Sequence, residues 1–261
     1  MNFNTELKSL KEKICTLDKR VIFIFISVAI LQTVSWYFAS RIFFRLNFFD
    51  VLEKANYNAE LLEFIYWFVG DFIVFFVIPA LIIFFLFKEK ITEYGFSFRE
   101  YKLGLSFSVI AVLLMIVIVW FISSNEVFSV QYPYYDAARY NWTEFLIFET
   151  ALLLYVFAWE FIWRGYMLFG LEKKFGYYAV LIQMLPFVIL HNGKPAIETF
   201  GAIIGGIALG ILALRTRSFL YGFIIHFSVM FSIDLISSLR SRANDFGTGF
   251  KSLLNIITNL F

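Results

Sequence analysis

Seven apolar runs separated by short charged links fill most of this 261-residue chain. They are Val21–Ala39, Phe64–Phe87, Leu103–Ile122, Thr143–Gly170, Tyr177–His191, Thr199–Leu214 and Ser218–Leu239. An apolar helix of about 20 residues crosses the ~30 Å hydrocarbon core of a bilayer, and most of these runs approach that length. The expected fold is therefore all-α. It is a polytopic membrane helical bundle of about seven transmembrane helices, with the fifth and sixth short and an eighth possible in the tail. Composition agrees: 61% of the residues are apolar, where soluble domains hold about 45–50%. A net charge of +2 is too small for a nucleic-acid partner, and the lone Cys15 excludes an intrachain disulfide.

The chain divides into four regions. Residues 1–20 are a charged, amphipathic lead-in, too long and too acidic for a cleaved signal peptide. Residues 21–142 hold the first three spans, 143–239 the last four, and 240–261 a tail with a small amphipathic segment. With seven spans, 13 Lys and Arg fall on the side of the N-terminus and 8 on the other. The positive-inside rule then predicts a cytoplasmic N-terminus.

Charges inside the apolar runs are the features that ask for a function. Glu160 and Arg164 interrupt the fourth run at i and i+4, with the acid first, so they share a helix face and can pair. Such charges cost ~2.5–3.5 kcal/mol each at bilayer depth and usually mark an interior site, although a purely structural ion pair is the competing reading. The only two histidines, His191 and His226, follow within the next three runs.

Simple helix geometry brings these groups together. Glu160 lies about 15 residues before the turn near Lys174–Gly176 and His191 about 15 after it, so both sit roughly 22 Å from that turn in an antiparallel pair. His226 enters from the same side, about nine residues past the turn at Thr216–Arg217, and so is shallower by several residues. Two histidines and a carboxylate can hold zinc or another divalent metal through Glu160, His191 and His226. They can equally polarise a water directly, with Glu160 as general base and the imidazoles orienting it and steadying an oxyanion. Asp234, two turns beyond His226, stays on the same broad face. Glu149, 11 residues before Glu160, is expected at the outer mouth of the site. Glu198 opens the sixth run as a helix N-terminal acid or reaches back toward the site. Asp71 is either a polar contact between helices or a supporting partner. Gly201, Gly205, Gly206 and Gly210 give the sixth run small-residue spacings suited to close packing.

These residues resemble the CPBP family, the CAAX-protease and bacteriocin-processing membrane proteins also called Abi. The family's first motif is Glu-Glu-x-x-x-Arg, usually followed by Gly. Here Trp159-Glu160-Phe161-Ile162-Trp163-Arg164-Gly165 matches at the second Glu, the Arg and the Gly, with Trp159 in place of the first Glu. The second motif, Phe-x-x-x-His, is met by Phe187 and His191. The third, His-x-x-x-Asn or Asp, is met by His226 but has Met230 at the last position, where Asp234 one turn later can substitute. The resemblance spans Thr143 to Leu239. It implies an intramembrane endopeptidase with Glu160, His191 and His226 active and Arg164 holding Glu160, working through either a metal-bound or a glutamate-activated water. It also implies a peptide or membrane-protein substrate in the lipid bilayer, with a bacterial inner membrane as the expected setting. Two other readings stand beside it. One is a catalytically inactive CPBP-like scaffold or binding protein that has lost the base. The other is a proton-coupled carrier using Asp71, Glu149, Glu160 and Asp234.

Overall fold

A computed structural model describes residues 3–258; the extreme ends of the N-terminal segment and of the tail, residues 1, 2 and 259–261, lie outside the described residues. An amphipathic helix α1 (Phe3–Cys15) precedes α2 (Lys19–Lys54), α3 (Ala59–Phe87), α4 (Tyr101–Ile122) and α5 (Trp142–Phe175). Then come α6 (Tyr178–Ile189), α7 (Ala196–Thr216), α8 (Leu220–Ala243) and a short α9 (Phe250–Thr258). The protein is an all-helical integral membrane protein. Six of these helices, α2 to α5, α7 and α8, are long and apolar enough to cross a membrane. The fifth run is the exception. Its 12 helical residues extend about 18 Å, short of a ~30 Å core. No eighth span forms in the described tail: α9 has nine residues and rests on the bundle through Ile256.

Local chemistry sets the helix limits. Asp18 caps α2 by accepting from the Arg20 and Val21 N–H groups, Asn58 caps α3 through Leu61 N–H, and Asn141 caps α5 through Thr143 and Glu144 N–H. Gly176, at φ +53°, ends α5 in a conformation that side chains resist. The charged stretch Arg41–Glu63, read from sequence as a loop or interfacial helix, is helical to Lys54 after a break at Ala39 and Ser40, where extended Ser40 accepts from Phe43 N–H as a new cap, and it opens α3 at Ala59.

Ion pairs fix which helix ends share a face. Arg20 at the start of α2 makes a bidentate pair with Glu89 just beyond α3, both bonds at 2.7 Å. Lys173 approaches the same Glu89, and Arg217 at the end of α7 holds Glu172 near the end of α5. The beginnings or ends of α2, α3, α5, α7 and α8 thus form one basic face. The hairpin of α6 and α7 leaves from that face and returns to it. The Gln183 amide donates to Gly206 C=O across the hairpin, and Thr199 Oγ1 donates to His191 C=O near its tip. Gly206 and Gly210 face α6 so closely that a Cβ would lie 2.8–2.9 Å from Met184 and Gln183 or Val180. Gly201 and Gly205 meet nothing within 4 Å, so only half of the small-residue stripe packs.

At the centre stands α5, more than half of whose apolar window is buried, against 11–39% for the other spans. Its lower half packs on α6 and the end of α3 through Trp159, Trp163, Phe187 and Phe75. Its upper half joins α3 and α8 in an aromatic cluster that includes Phe64, Phe68 and Phe148. The charged residues of α5 are therefore placed at the middle of the bundle.

Candidate active site

Glu160 is the last α-helical residue before a π-helical turn over Phe161–Met167, and both it and Arg164 are fully buried. Single π turns inside long helices often accompany functional sites because they redirect side chains. Arg164 Nη1 donates to Glu160 Oε1 at 2.8 Å, and the guanidinium carbon lies 3.9 Å from the Phe187 ring centre. The ring faces of α6 thus support a cation that would otherwise be costly at this depth.

Oε1 of Glu160 carries a second bond. His226 Nδ1 donates to it at 2.7 Å across the interface of α5 and α8. The shallower depth read for His226 is absorbed because the Arg217–Glu172 pair sets the last turn level with Glu172 rather than with Gly176. Glu160 then stands 12 residues from that level and His226 nine, a mismatch that helix tilt closes. The carboxylate partner fixes the His226 proton on Nδ1 and leaves Nε2 toward the site.

His191 ends α6, where its Nδ1 donates to Phe187 C=O at 2.7 Å. Its ring lies 4.5 Å from that of Phe187, and the His226 ring lies 6.1 Å from the same phenyl. Phe187, one turn before His191, therefore carries Arg164, His191 and His226 around a single ring. Trp159 approaches His191 with ring centres 6.4 Å apart, so an indole occupies the flank where a second carboxylate would stand.

The remaining atom of the acid is the informative one. Glu160 Oε2 is buried and has no hydrogen-bond partner in the protein. Opposite it lies Gly222, one turn before His226, where a Cβ would be 3.1 Å from Oε2. A glycine at that position clears the approach to the only uncommitted lone pairs of a buried carboxylate. Nothing in the sequence patterns singled out Gly222, although its place at i−4 from His226 puts it on the facing stripe.

Other expected participants sit elsewhere. Asp234 and Glu149, both buried, interact with each other, about 12 Å beyond His226 along α8 and about 16 Å before Glu160 along α5. Asp234 therefore does not substitute at the third motif, and Glu149 lies above the site as Asp234's partner. Glu198 accepts from Tyr132 Oη and lies 3.6 Å from Lys194 Nζ, at the tip of the α6–α7 hairpin. Asp71 is a contact between helices: Ser35 Oγ and Trp67 Nε1 donate to its two oxygens at 2.6 and 3.0 Å. Among the described residues no group of three His, Cys, Asp or Glu side chains is gathered closely enough to hold an ion as they stand; each histidine is anchored through Nδ1, which leaves its Nε2 without a protein partner.

Residues 141–232, from the cap of α5 to the middle of α8, match the family model described as Type II CAAX prenyl endopeptidase Rce1-like. This segment is a CPBP/CAAX-protease family domain. No curated protein and no solved structure gives a significant match to the chain. The family match begins and ends close to the Thr143–Leu239 limits expected from the motifs. In this CAAX-protease domain the paired acid and arginine, and both histidines, surround one phenylalanine.

Proposed function

We propose that the protein is an intramembrane endopeptidase in which Glu160 activates a water for attack on a peptide carbonyl. The observation that carries this reading is the unpartnered Glu160 Oε2, held rigidly by Arg164 and His226 on its other oxygen and approached across Gly222. A buried carboxylate oxygen without a protein partner pays a desolvation cost that a bound water relieves. Oε2 accepts one proton of that water, and His191 Nε2 accepts from the other and aligns it. As the water oxygen bonds to the carbonyl carbon, Glu160 takes its proton. In this step His226 keeps Nδ1–H on Glu160 Oε1 and, when it carries a second proton, offers Nε2–H to the oxyanion. Collapse of the tetrahedral intermediate breaks the C–N bond, and the proton on Glu160 passes to the departing amine. Arg164 holds Glu160 in place throughout, through its bond to Oε1.

The substrate in this reading is a peptide or membrane-anchored protein segment, since the centre lies within the bundle. The basic face, with the N-terminus, is assigned to the cytoplasm, and a bacterial inner membrane is the setting we favour. The test uses proteoliposomes, candidate anchored peptides and heavy-oxygen water, with wild type and His191→Ala compared. One heavy oxygen in the new carboxylate, and a loss of at least 100-fold in His191→Ala, is expected for this general acid–base scheme. Trp159 in place of a second glutamate favours the inactive-scaffold reading. That reading prevails if no anchored peptide is cut by the wild type.

A further inference from the structure

A cavity of about 420 Å³ opens between α2, α3 and α5 on the end of the bundle opposite the basic face and extends to Trp159 and Leu190, the neighbours of Glu160 and His191. Its volume falls within the ~300–1,000 Å³ typical of small-ligand sites. Its walls change character along its length.

At one end Glu63, fully buried, accepts from Arg41 Nε at 2.5 Å and from Arg45 Nε at 2.7 Å. Both arginines reach the acid through Nε alone, and none of their Nη atoms makes a hydrogen bond among the described residues. The Arg41 guanidinium lies 3.9 Å from the Phe64 ring centre, which fixes its plane. Two guanidinium forks around one carboxylate leave a net positive charge and an array of free donors. Asp71, also in the lining, accepts from Ser35 and Trp67 and makes no ion pair with either arginine.

Away from the arginines the lining is aromatic, with Trp67, Tyr155 and Trp159. Gln32 Oε1, also in the wall, is buried without a partner. It lies almost two helical turns before the break at Ala39–Ser40 that separates it from Arg41. Trp36, also in the lining, is exposed, as are its neighbours Tyr37 and Phe38, in the manner of aromatic side chains at the level of lipid head groups.

We propose that this cavity binds an anionic amphiphile. Its acidic head sits on the Nη groups of Arg41 and Arg45, an N–H or O–H donor meets Gln32, and its apolar chain runs along the tryptophans toward Trp159. Carboxylate and phosphate heads both match the guanidinium fork, so the chemistry names the head as an oxyanion. The far end of the site reaches Trp159 and Leu190 beside Glu160 and His191, and its occupancy is measured without turnover.

The experiment titrates the protein, in nanodiscs of zwitterionic lipid, with chain-brominated probes and reads tryptophan quenching. Monoacyl phosphatidic acid and N-acylglycine are the phosphate and carboxylate probes, and monoacyl phosphatidylcholine of the same chain is the zwitterionic control. Saturable quenching by one or both anionic probes is expected, at about ten-fold lower concentration than for the control, in line with charge-assisted hydrogen bonds. The triple variant Arg41→Gln/Arg45→Gln/Glu63→Gln removes acid and bases together, so no buried charge is left unpaired. It should lose the preference for the anionic probes. Gln32→Leu, which leaves the ion cluster intact, should weaken both anionic probes. Equal quenching by the zwitterionic control overturns the proposal, as does an unchanged preference in the folded triple variant. Displacement of the probe by millimolar inorganic phosphate alone would reduce the site to a simple anion site and overturn the amphiphile.

Discussion

Replacing Gly222 with alanine separates what the site needs for folding from what it needs for chemistry. The new methyl would lie 3.1 Å from Glu160 Oε2, a few tenths of an ångström closer than ordinary contact. Against that crowding stands the intrinsic preference of a helix interior for alanine over glycine, about 1 kcal/mol. The two effects nearly cancel, so the unfolding free energy should change by no more than about 1 kcal/mol. Activity should respond differently, because the methyl stands where a water must sit to reach Oε2. Moving a reacting atom by about 1 Å costs on the order of 10²-fold in rate, or ~2.7 kcal/mol in the barrier. Thermal unfolding in detergent and single-turnover cleavage in liposomes measure the two quantities on one preparation. A folded Gly222→Ala protein with undiminished cleavage would refute the placement of the water at Oε2. Loss of folding would refute the estimate of the packing.

Three further outcomes follow from the same geometry. Arg164→Met leaves Glu160 buried without its cation and should cost about 3–5 kcal/mol of unfolding free energy, with Arg164→Lys in between, measured by thermal or denaturant unfolding. Asp234→Asn and Glu149→Gln, remote from Glu160, should keep cleavage within about three-fold of wild type, a change under 1 kcal/mol in the barrier; a loss comparable to that of His191→Ala would return Asp234 to the site. Hydrogen bonds from Arg20, and secondarily from Tyr94, hold the Glu89 carboxyl down at about 2, below its ordinary 4.5. A depressed carboxyl stabilises the fold fully above its ordinary value and loses that contribution as pH falls from 4.5 toward 2, so Glu89→Gln should abolish that part of the acid dependence, about 1 kcal/mol for a partly exposed pair.

The fold was largely readable because hydrocarbon permits few alternatives: the apolar runs marked the helices, and counting from the turns placed Glu160 and His191 at similar depth. Features that depend on three-dimensional packing were not readable. Glu63 looks like one more charge in a polar link, yet the packing of α3 buries it between two arginines. The π turn after Glu160 and the role of Gly222 leave no periodic signal in a single sequence. Asp234 has the right face by helical phase, but its partner is set by the antiparallel register of α5 and α8, which brings Glu149 beside it instead. The short fifth run was visible as short. That it forms a hairpin with α7 became clear only from the Gln183–Gly206 and Thr199–His191 bonds.

Glu160→Gln tests the central claim most directly. The substitution keeps the shape of the side chain and an oxygen to accept from Arg164 or His226, while removing the basic lone pairs of Oε2. Single-turnover cleavage of an anchored peptide in proteoliposomes, on variant protein shown to be folded, should fall by 10²–10⁴-fold, the usual contribution of a general base. Cleavage by folded Glu160→Gln at the wild-type rate would contradict the account.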